Sequence, residues 1–365
     1  MASRLVARLR IAPRALRAMA GRRERPPDPL RILVAHHLLL GDTLMLTPLL
    51  AKLRARYPAA RVVMTVRRAF LPLYALRPYG TEAVVHEAKQ PATLDALLAG
   101  DGFDLAFVPG DNRYAWLAAA ARARWIVAHA DERRGLRNWP ADDLRPFPQS
   151  PTAWGDAIAQ LADGPPPPAY RPADWPAPPC APPVPPRGDY CVLHVGAGSR
   201  LRLWNPERWR TVAETLSSRG LQVVWSAGRG EEDEVAAADP AGRWRSFGGE
   251  LSLAQLWHLL AGARLLVCPD TGIAHLGRLA GVPTLTLYGP GSPALFGPGE
   301  FWRESPCRAV AVDPFPCRDQ RVIFKRRVDW VRRCQRTLAE CPAPRCMHAI
   351  GVEPVLAAAA ELLGG

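Results

Sequence analysis

Short apolar runs alternate with stretches of helical spacing along most of this chain. Residues 31 to 36, 61 to 66, 83 to 86, 104 to 108 and 125 to 128 read as strands, and 48 to 56, 92 to 99 and 114 to 123 as helices between them. That alternation predicts an α/β half. Residues 165 to 186 then hold twelve prolines, which leaves no room for regular structure and predicts an extended linker or crossing segment. Strands resume at 190 to 195, 222 to 225, 264 to 268 and 284 to 288, with helical patterns at 206 to 218, 231 to 238, 252 to 261 and near 352 to 363. The whole reads as two α/β halves, with no internal repeat.

Two segments carry candidate chemistry. After the apolar run Arg264 to Cys268 comes Asp270-Thr271-Gly272-Ile273-Ala274-His275, then a short helix pattern to Ala280, Gly281-Val282-Pro283, and a second apolar run, Thr284 to Tyr288, closed by Gly289-Pro290-Gly291. This is one βαβ unit with its polar residues at the carboxyl end of the first strand, the edge where open α/β sheets bind ligands. Thr271 and Gly272 at a helix start can offer backbone N–H groups to a phosphate. The competing reading is a capped helix, with Asp270 or Thr271 as N-cap and His275 on the surface. Near the other end, the run Leu30 to Ala35 leads into His36-His37-Leu38-Leu39-Leu40-Gly41-Asp42, then Thr43 to Pro48 and a helical pattern that ends at Tyr57-Pro58.

These two segments, in this order and about 230 residues apart, together with Trp204-Asn205-Pro206-Glu207-Arg208-Trp209, resemble glycosyltransferase family 9, the ADP-heptose:lipopolysaccharide heptosyltransferases. The resemblance covers roughly residues 30 to 300. It implies an α/β chain of GT-B fold, two Rossmann-like domains facing a central cleft. The corresponding division is a basic N-terminal tail at 1–27, an acceptor-binding domain at 28–164, the proline-rich linker at 165–187, a nucleotide-sugar-binding domain at 188–350 and a C-terminal helix at 351–365. The implied activity is inverting transfer of heptose from ADP-heptose to a lipopolysaccharide core acceptor, with no cofactor and no metal. Two other readings remain open: a family member using another nucleotide sugar in O-antigen or capsule assembly, and a non-catalytic nucleotide-sugar-binding protein.

Glycosyl transfer needs a base for the acceptor hydroxyl, stabilisation of the leaving diphosphate, and an oriented donor. The resemblance makes Asp42 the general base; its alternative is a cap on the following helix. The loop His194 to Arg202 follows a strand, and its Gly and Ser residues let backbone N–H groups approach phosphate oxygens. Ser199, Arg200 and Arg202 are its candidates. The family's phosphate-binding Lys aligns with Arg202, a departure that keeps the charge but prefers bidentate geometry. After the next strand, Glu231 is the candidate for the ribose hydroxyls, with Glu232 as the alternative. The resemblance sets Asp270 against the sugar hydroxyls and Thr271, Gly272 and His275 near the diphosphate. Trp204 and Trp209 are expected to pack the loop and helix.

Charge adds a partner. The net charge is +13, and much of it is concentrated in two places. Residues 1 to 30 hold eight arginines against Glu24 and Asp28, and residues 318 to 336 hold eight Lys/Arg against Asp319 and Asp329. Such clusters suit anionic lipid or phosphorylated glycan; no nucleic-acid module is visible. Leu5, Leu9, Leu16 and Met19 among the arginines read as a weak amphipathic helix or a disordered basic tail. No apolar run reaches the ~18 residues of a spanning helix, and the N-terminus lacks the apolar core of a secretory signal. The expected location is the cytoplasm, peripheral at the inner face of the inner membrane. Of the eight cysteines, Cys307, Cys317, Cys334, Cys341 and Cys346 lie late and form no CxxC, so they read as reduced thiols or as a small metal knot.

Overall fold

The structure is a computed structural model. It describes residues 2–20, 24–131 and 135–364, and side chains from residue 7 onward with the exception of residue 8. The chain divides into two compact units: residues 1–168 with 322–329, and residues 169–321 with 330–365. The segment 322–329 therefore folds with the first unit although the chain on both sides of it belongs to the second.

In the first unit, β1 (Arg31–Val34), β2 (Arg61–Val66), β3 (Thr81–Val85), β4 (Phe103–Val108), β5 (Ala123–His129) and β6 (Asp143–Arg145) form one parallel sheet in the order β3-β2-β1-β4-β5-β6. The centre of the sheet is continuous aliphatic sequence, with Ile32, Leu33, Val34, Leu105, Ala106 and Phe107 wholly buried, as strands covered on both faces require. The order reverses between β1 and β4, which makes their carboxyl ends the switch point where ligands of such sheets bind.

The basic N-terminal stretch, expected as a tail or a weak helix, carries the helix Ala2–Met19. Its contact face is small: Ala7, Ile11 and Ala15 recur every four residues and pack with the alanine-rich helix Ala115–Ala120. Arg10 donates to the Pro91 carbonyl and pairs with Asp95. Leu9, Arg14, Leu16 and Arg17 remain exposed.

The segment that returns to the first unit holds a two-strand antiparallel hairpin, Val322–Ile323 with Arg326–Arg327. Arg326 is its anchor, 2% exposed. Nε donates to Ala130 O (3.0 Å), Nη1 to Gly110 O (2.8 Å), and Nη2 to Asn112 Oδ1 (2.6 Å) and His129 O (3.2 Å). Asp131 Oδ1 stands 3.1 Å from Nε as an ion pair. Phe324 packs on Trp154, ring centroids 4.5 Å apart.

The second unit repeats the architecture. β7 (Tyr190–His194), β8 (Gln222–Ala227), β9 (Arg245–Gly248), β10 (Leu265–Pro269), β11 (Thr284–Tyr288) and β12 (Cys307–Ala311) are parallel in the order β12-β11-β10-β7-β8-β9, so the switch point lies between β7 and β10. The helix Val352–Leu363 covers this sheet through Val355 and Ala359. The proline-rich stretch holds only the 3₁₀ turn Pro172–Asp174, yet its beginning is pinned to the second unit. Tyr170 Oη donates to Leu279 O at 2.6 Å, and Trp175 stacks on Trp257. Trp204 and Trp209 are buried against one another and in the core, the packing role expected of them.

Candidate functional site

The second unit brings most of the expected donor residues to the carboxyl edge of its sheet. Asp270 directly follows β10. It is 4% exposed, and its Oδ2 is buried without a hydrogen-bond partner. Burial pushes its carboxyl above the usual range, and the cations Arg202, Arg278 and Arg333 pull the other way. Gly291 is needed here: a Cβ at that position would collide with Asp270 Oδ2. Arg202 reaches across the switch point, its Nη1 donating to the Asp270 carbonyl at 2.8 Å. One contact thus joins the loop after β7 to the loop after β10.

Thr271 is the N-cap of the helix Gly272–Ala280, its Oγ1 accepting from Ile273 N–H, so the capping part of the bland reading holds for Thr271. Gly272 is the first helical residue. Helix N-termini leave N–H groups without intrahelical partners, and these suit an anion. The surface placement of His275 in that bland reading is overturned: the residue is 4% exposed. Its Nδ1 lies 3.3 Å from Arg278 Nη1. A guanidinium can only donate, so Nδ1 accepts and the imidazole proton sits on Nε2. Burial, then Arg278 and Arg202, holds the ring well below its ordinary pKa, so it is neutral. Arg278 is held in turn by Tyr288 Oη (3.3 Å) and the Phe296 carbonyl (3.1 Å).

Glu231 lies over the ends of β7 and β8. Its Oε2 accepts from Gly228 N–H at 2.8 Å, and a Cβ on Gly196 would collide with the same oxygen. Glu232 is exposed and accepts from Gly230 N–H at 2.9 Å. Ser199 and Arg200 are exposed. Arg200 lines a separate hollow of about 440 Å3 with Asn205, Glu234, Leu338 and His348, and none of Glu231, Asp270, Thr271, Gly272 or His275 lines it. The structure thus groups Arg202 with Asp270, Thr271, Gly272 and His275, sets Glu231 on the adjoining loops, and leaves Arg200 apart.

Asp42 belongs to the first unit. It lies in the first turn of the five-residue helix Leu40–Leu44 that follows β1, half-buried. The cap positions of this helix and of the next, Thr47–Arg56, are Leu39 and Leu46, so Asp42 is the N-cap of neither.

Sequence reasoning missed Arg278 and the carboxylates that crowd Gly196 and Gly291. The available signal for Arg278 was its position, one turn beyond His275 on the buried face of an otherwise apolar helix. The glycines gave none, because what each accommodates is a carboxylate distant in sequence. Among the described residues no group of three or more His, Cys, Asp or Glu side chains is arranged to hold a metal ion, and the eight cysteines are free thiols. No helix among them is long and apolar enough to cross a membrane.

Residues 173–318 match the family model described as glycosyltransferase family 9 (heptosyltransferase). A stretch of 113 residues is 37% identical to lipopolysaccharide heptosyltransferase 1 of Pseudomonas aeruginosa, covering 31% of this chain and 32% of that protein. The match therefore spans about a third of that curated relative's length. Among solved structures, ADP-heptose lps heptosyltransferase II of E. coli is similar with a TM-score of 0.66 at 18% identity, over 91% of this chain and 98% of that one. The E. coli heptosyltransferase WaaC with ADP-2-deoxy-2-fluoro heptose gives a TM-score of 0.62 at 18% identity, over 77% and 92%. At such identities the likeness shows the fold, and that fold is GT-B, built of two parallel-sheet α/β units. The family model thus covers most of the second unit, where the cluster around Asp270 lies, and the heptosyltransferase relative matches about a third of the chain.

Proposed function

We propose that this protein is an inverting glycosyltransferase that moves heptose from ADP-heptose to a lipopolysaccharide core acceptor. The observation that carries the reading is the cluster at the second switch point, where Arg202 meets the Asp270 carbonyl beside the helix N-terminus at Thr271 and Gly272. The N–H groups there, Arg202 and the Nε2 proton of His275 stabilise the departing diphosphate. Glu231 takes the ribose hydroxyls and Asp270 the sugar hydroxyls. Asp42 accepts the proton of the acceptor hydroxyl as its oxygen bonds to the anomeric carbon and the bond to the diphosphate breaks. The choice of ADP-heptose rests on the family and on the E. coli member solved with an ADP-heptose analogue. A thermal-shift comparison of ADP-, UDP- and GDP-sugars tests it, since a ligand of the native state raises the melting temperature. The ADP-sugar is expected to give the largest shift; a larger shift from a UDP- or GDP-sugar would reassign the donor.

The donor residues predict a loss of binding. Asp270→Ala and Glu231→Ala are each expected to weaken ADP-sugar affinity by on the order of 1–3 kcal/mol, because a buried polar contact to the ligand loses its partner. Calorimetry showing wild-type affinity in both variants would remove these residues from the site.

The proposed acceptor is embedded in a membrane, and the enzyme is proposed to work at its cytoplasmic face, bound peripherally to anionic lipid. The exposed side of the helix Ala2–Met19 supports this by pairing Leu9 and Leu16, two turns apart, with Arg14 and Arg17. Binding to acidic vesicles is expected to weaken as salt shortens the Debye length from ~10 Å at 0.1 M to ~3 Å at 1 M. It is also expected to fall in the double variant Leu9→Gln/Leu16→Gln, which spares the packed alanines. Equal vesicle binding by variant and wild type would rule this helix out as the contact.

A further inference from the structure

The proposed chemistry leaves one buried cation of the donor cluster without a task. Arg278 is 2% exposed. It lies one turn beyond His275 on the helix Gly272–Ala280, and Gly277 between them lets that helix press on β10 and β11. A Cβ at Gly277 would collide with Leu266 and Thr284. Among the described residues no carboxylate makes an ion pair with the guanidinium, and its Nε is buried without a partner. Burying a charge without a counter-charge in contact is strongly unfavourable, so for stability alone an apolar side chain would serve this helix better.

What the guanidinium does is hold an imidazole. Tyr288 Oη donates to the Phe296 carbonyl at 3.0 Å, and Arg278 Nη2 donates to both oxygens, at 3.3 Å and 3.1 Å. These two partners come from β11 and from the short helix Pro293–Phe296, and together they fix the plane of the guanidinium. Nη1 is thereby aimed at His275 Nδ1, 3.3 Å away. The kind of donor matters. A hydroxyl or a water could turn and accept a proton from Nδ1, which would admit the other tautomer. A guanidinium only donates and stays charged at any working pH, so Nδ1 is kept bare. The ring proton is left on Nε2, and among the described residues nothing accepts it.

We infer that Arg278 is a positioning residue for departure of the diphosphate: it holds His275 in the one tautomer that offers Nε2–H to the leaving group. This rests on the transferase reading and deepens it by adding a residue that acts on the donor through His275.

Ring-nitrogen NMR of the whole protein reads the tautomer, with the His275 signals identified by their loss in His275→Ala. The wild type is expected to show a protonated Nε2 and a bare Nδ1, and added ADP to shift Nε2 more than Nδ1. In Arg278→Met the two tautomers are expected to mix. Turnover of ADP-heptose completes the test as a double-variant cycle. Arg278→Met is expected to lower kcat by on the order of tenfold and His275→Ala by roughly a hundredfold, while the double variant falls no further than His275→Ala alone. Arg278→Lys keeps a donor-only cation for Nδ1 but cannot also fill the Tyr288 and Phe296 contacts. It is expected to recover part of the turnover although its melting temperature drops. A wild-type ring protonated on Nδ1, additive losses in the double variant, or equal turnover in Arg278→Met and Arg278→Lys would overturn the inference. Wild-type protein that shows the Nε2 tautomer and binds ADP, yet transfers no heptose, would count against the transferase reading alone.

Discussion

Asp42→Asn is expected to lower kcat by roughly a hundredfold or more while leaving nucleotide-sugar affinity nearly unchanged. Asparagine keeps the size of the side chain and one oxygen acceptor, but has no basic lone pair for a proton. The donor is assigned to the second unit, whereas Asp42 lies in the first, so a change at Asp42 acts on the chemical step and not on donor binding. The helix Leu40–Leu44 has Leu39 at its cap position and the next helix has Leu46, which separates the catalytic reading from the capping one. A purely structural Asp42 would show itself as a lowered melting temperature with turnover retained.

Arg326→Met is expected to cost about 3–5 kcal/mol of stability, the scale for breaking a buried, hydrogen-bonded charge site by removing one partner. Four oxygens from two segments, Gly110 and Asn112 on one and His129 and Ala130 on the other, accept from this one guanidinium. Burial lowers the pKa of Arg326 and raises that of Asp131, so desolvation outweighs the attraction within that pair. The benefit of the residue therefore lies in satisfying the oxygens. Arg326→Lys is expected to recover only part of the loss, because a single ammonium cannot fill a planar array of acceptors. Denaturant midpoints measure both variants. A loss below 1 kcal/mol in Arg326→Met would mean that water replaces the guanidinium without penalty.

The central strands were legible because their burial writes itself into the sequence as unbroken aliphatic runs; Arg61–Val66 and Thr284–Tyr288 match their expected limits. Three strands were missed: Asp143–Arg145, Arg245–Gly248 and Cys307–Ala311. Each is a sheet edge with one hydrogen-bonded neighbour and partial exposure, so each can be short and polar. The hairpin 322–327 was read only as part of a basic cluster. Charge counting cannot tell that Arg326, alone among close neighbours such as Lys325 and Arg327, turns inward, because its acceptors lie about two hundred residues earlier. The Asp270 segment was legible as a strand–turn–helix. What surrounds it was not: Arg202 on the Asp270 carbonyl and Gly291 beneath its carboxylate are tertiary contacts.

In the proposed reaction this chain couples release of ADP from ADP-heptose to glycosylation of a lipopolysaccharide core acceptor, with Asp42 as the base. The most direct measurement incubates the protein with ADP-heptose and lipopolysaccharide core acceptor, and follows free ADP and the mass of the acceptor together. One ADP released per heptose gained is expected, with both rates falling roughly a hundredfold in Asp42→Asn. An acceptor left unmodified while ADP-heptose binds, or equal rates in Asp42→Asn and wild type, would contradict it.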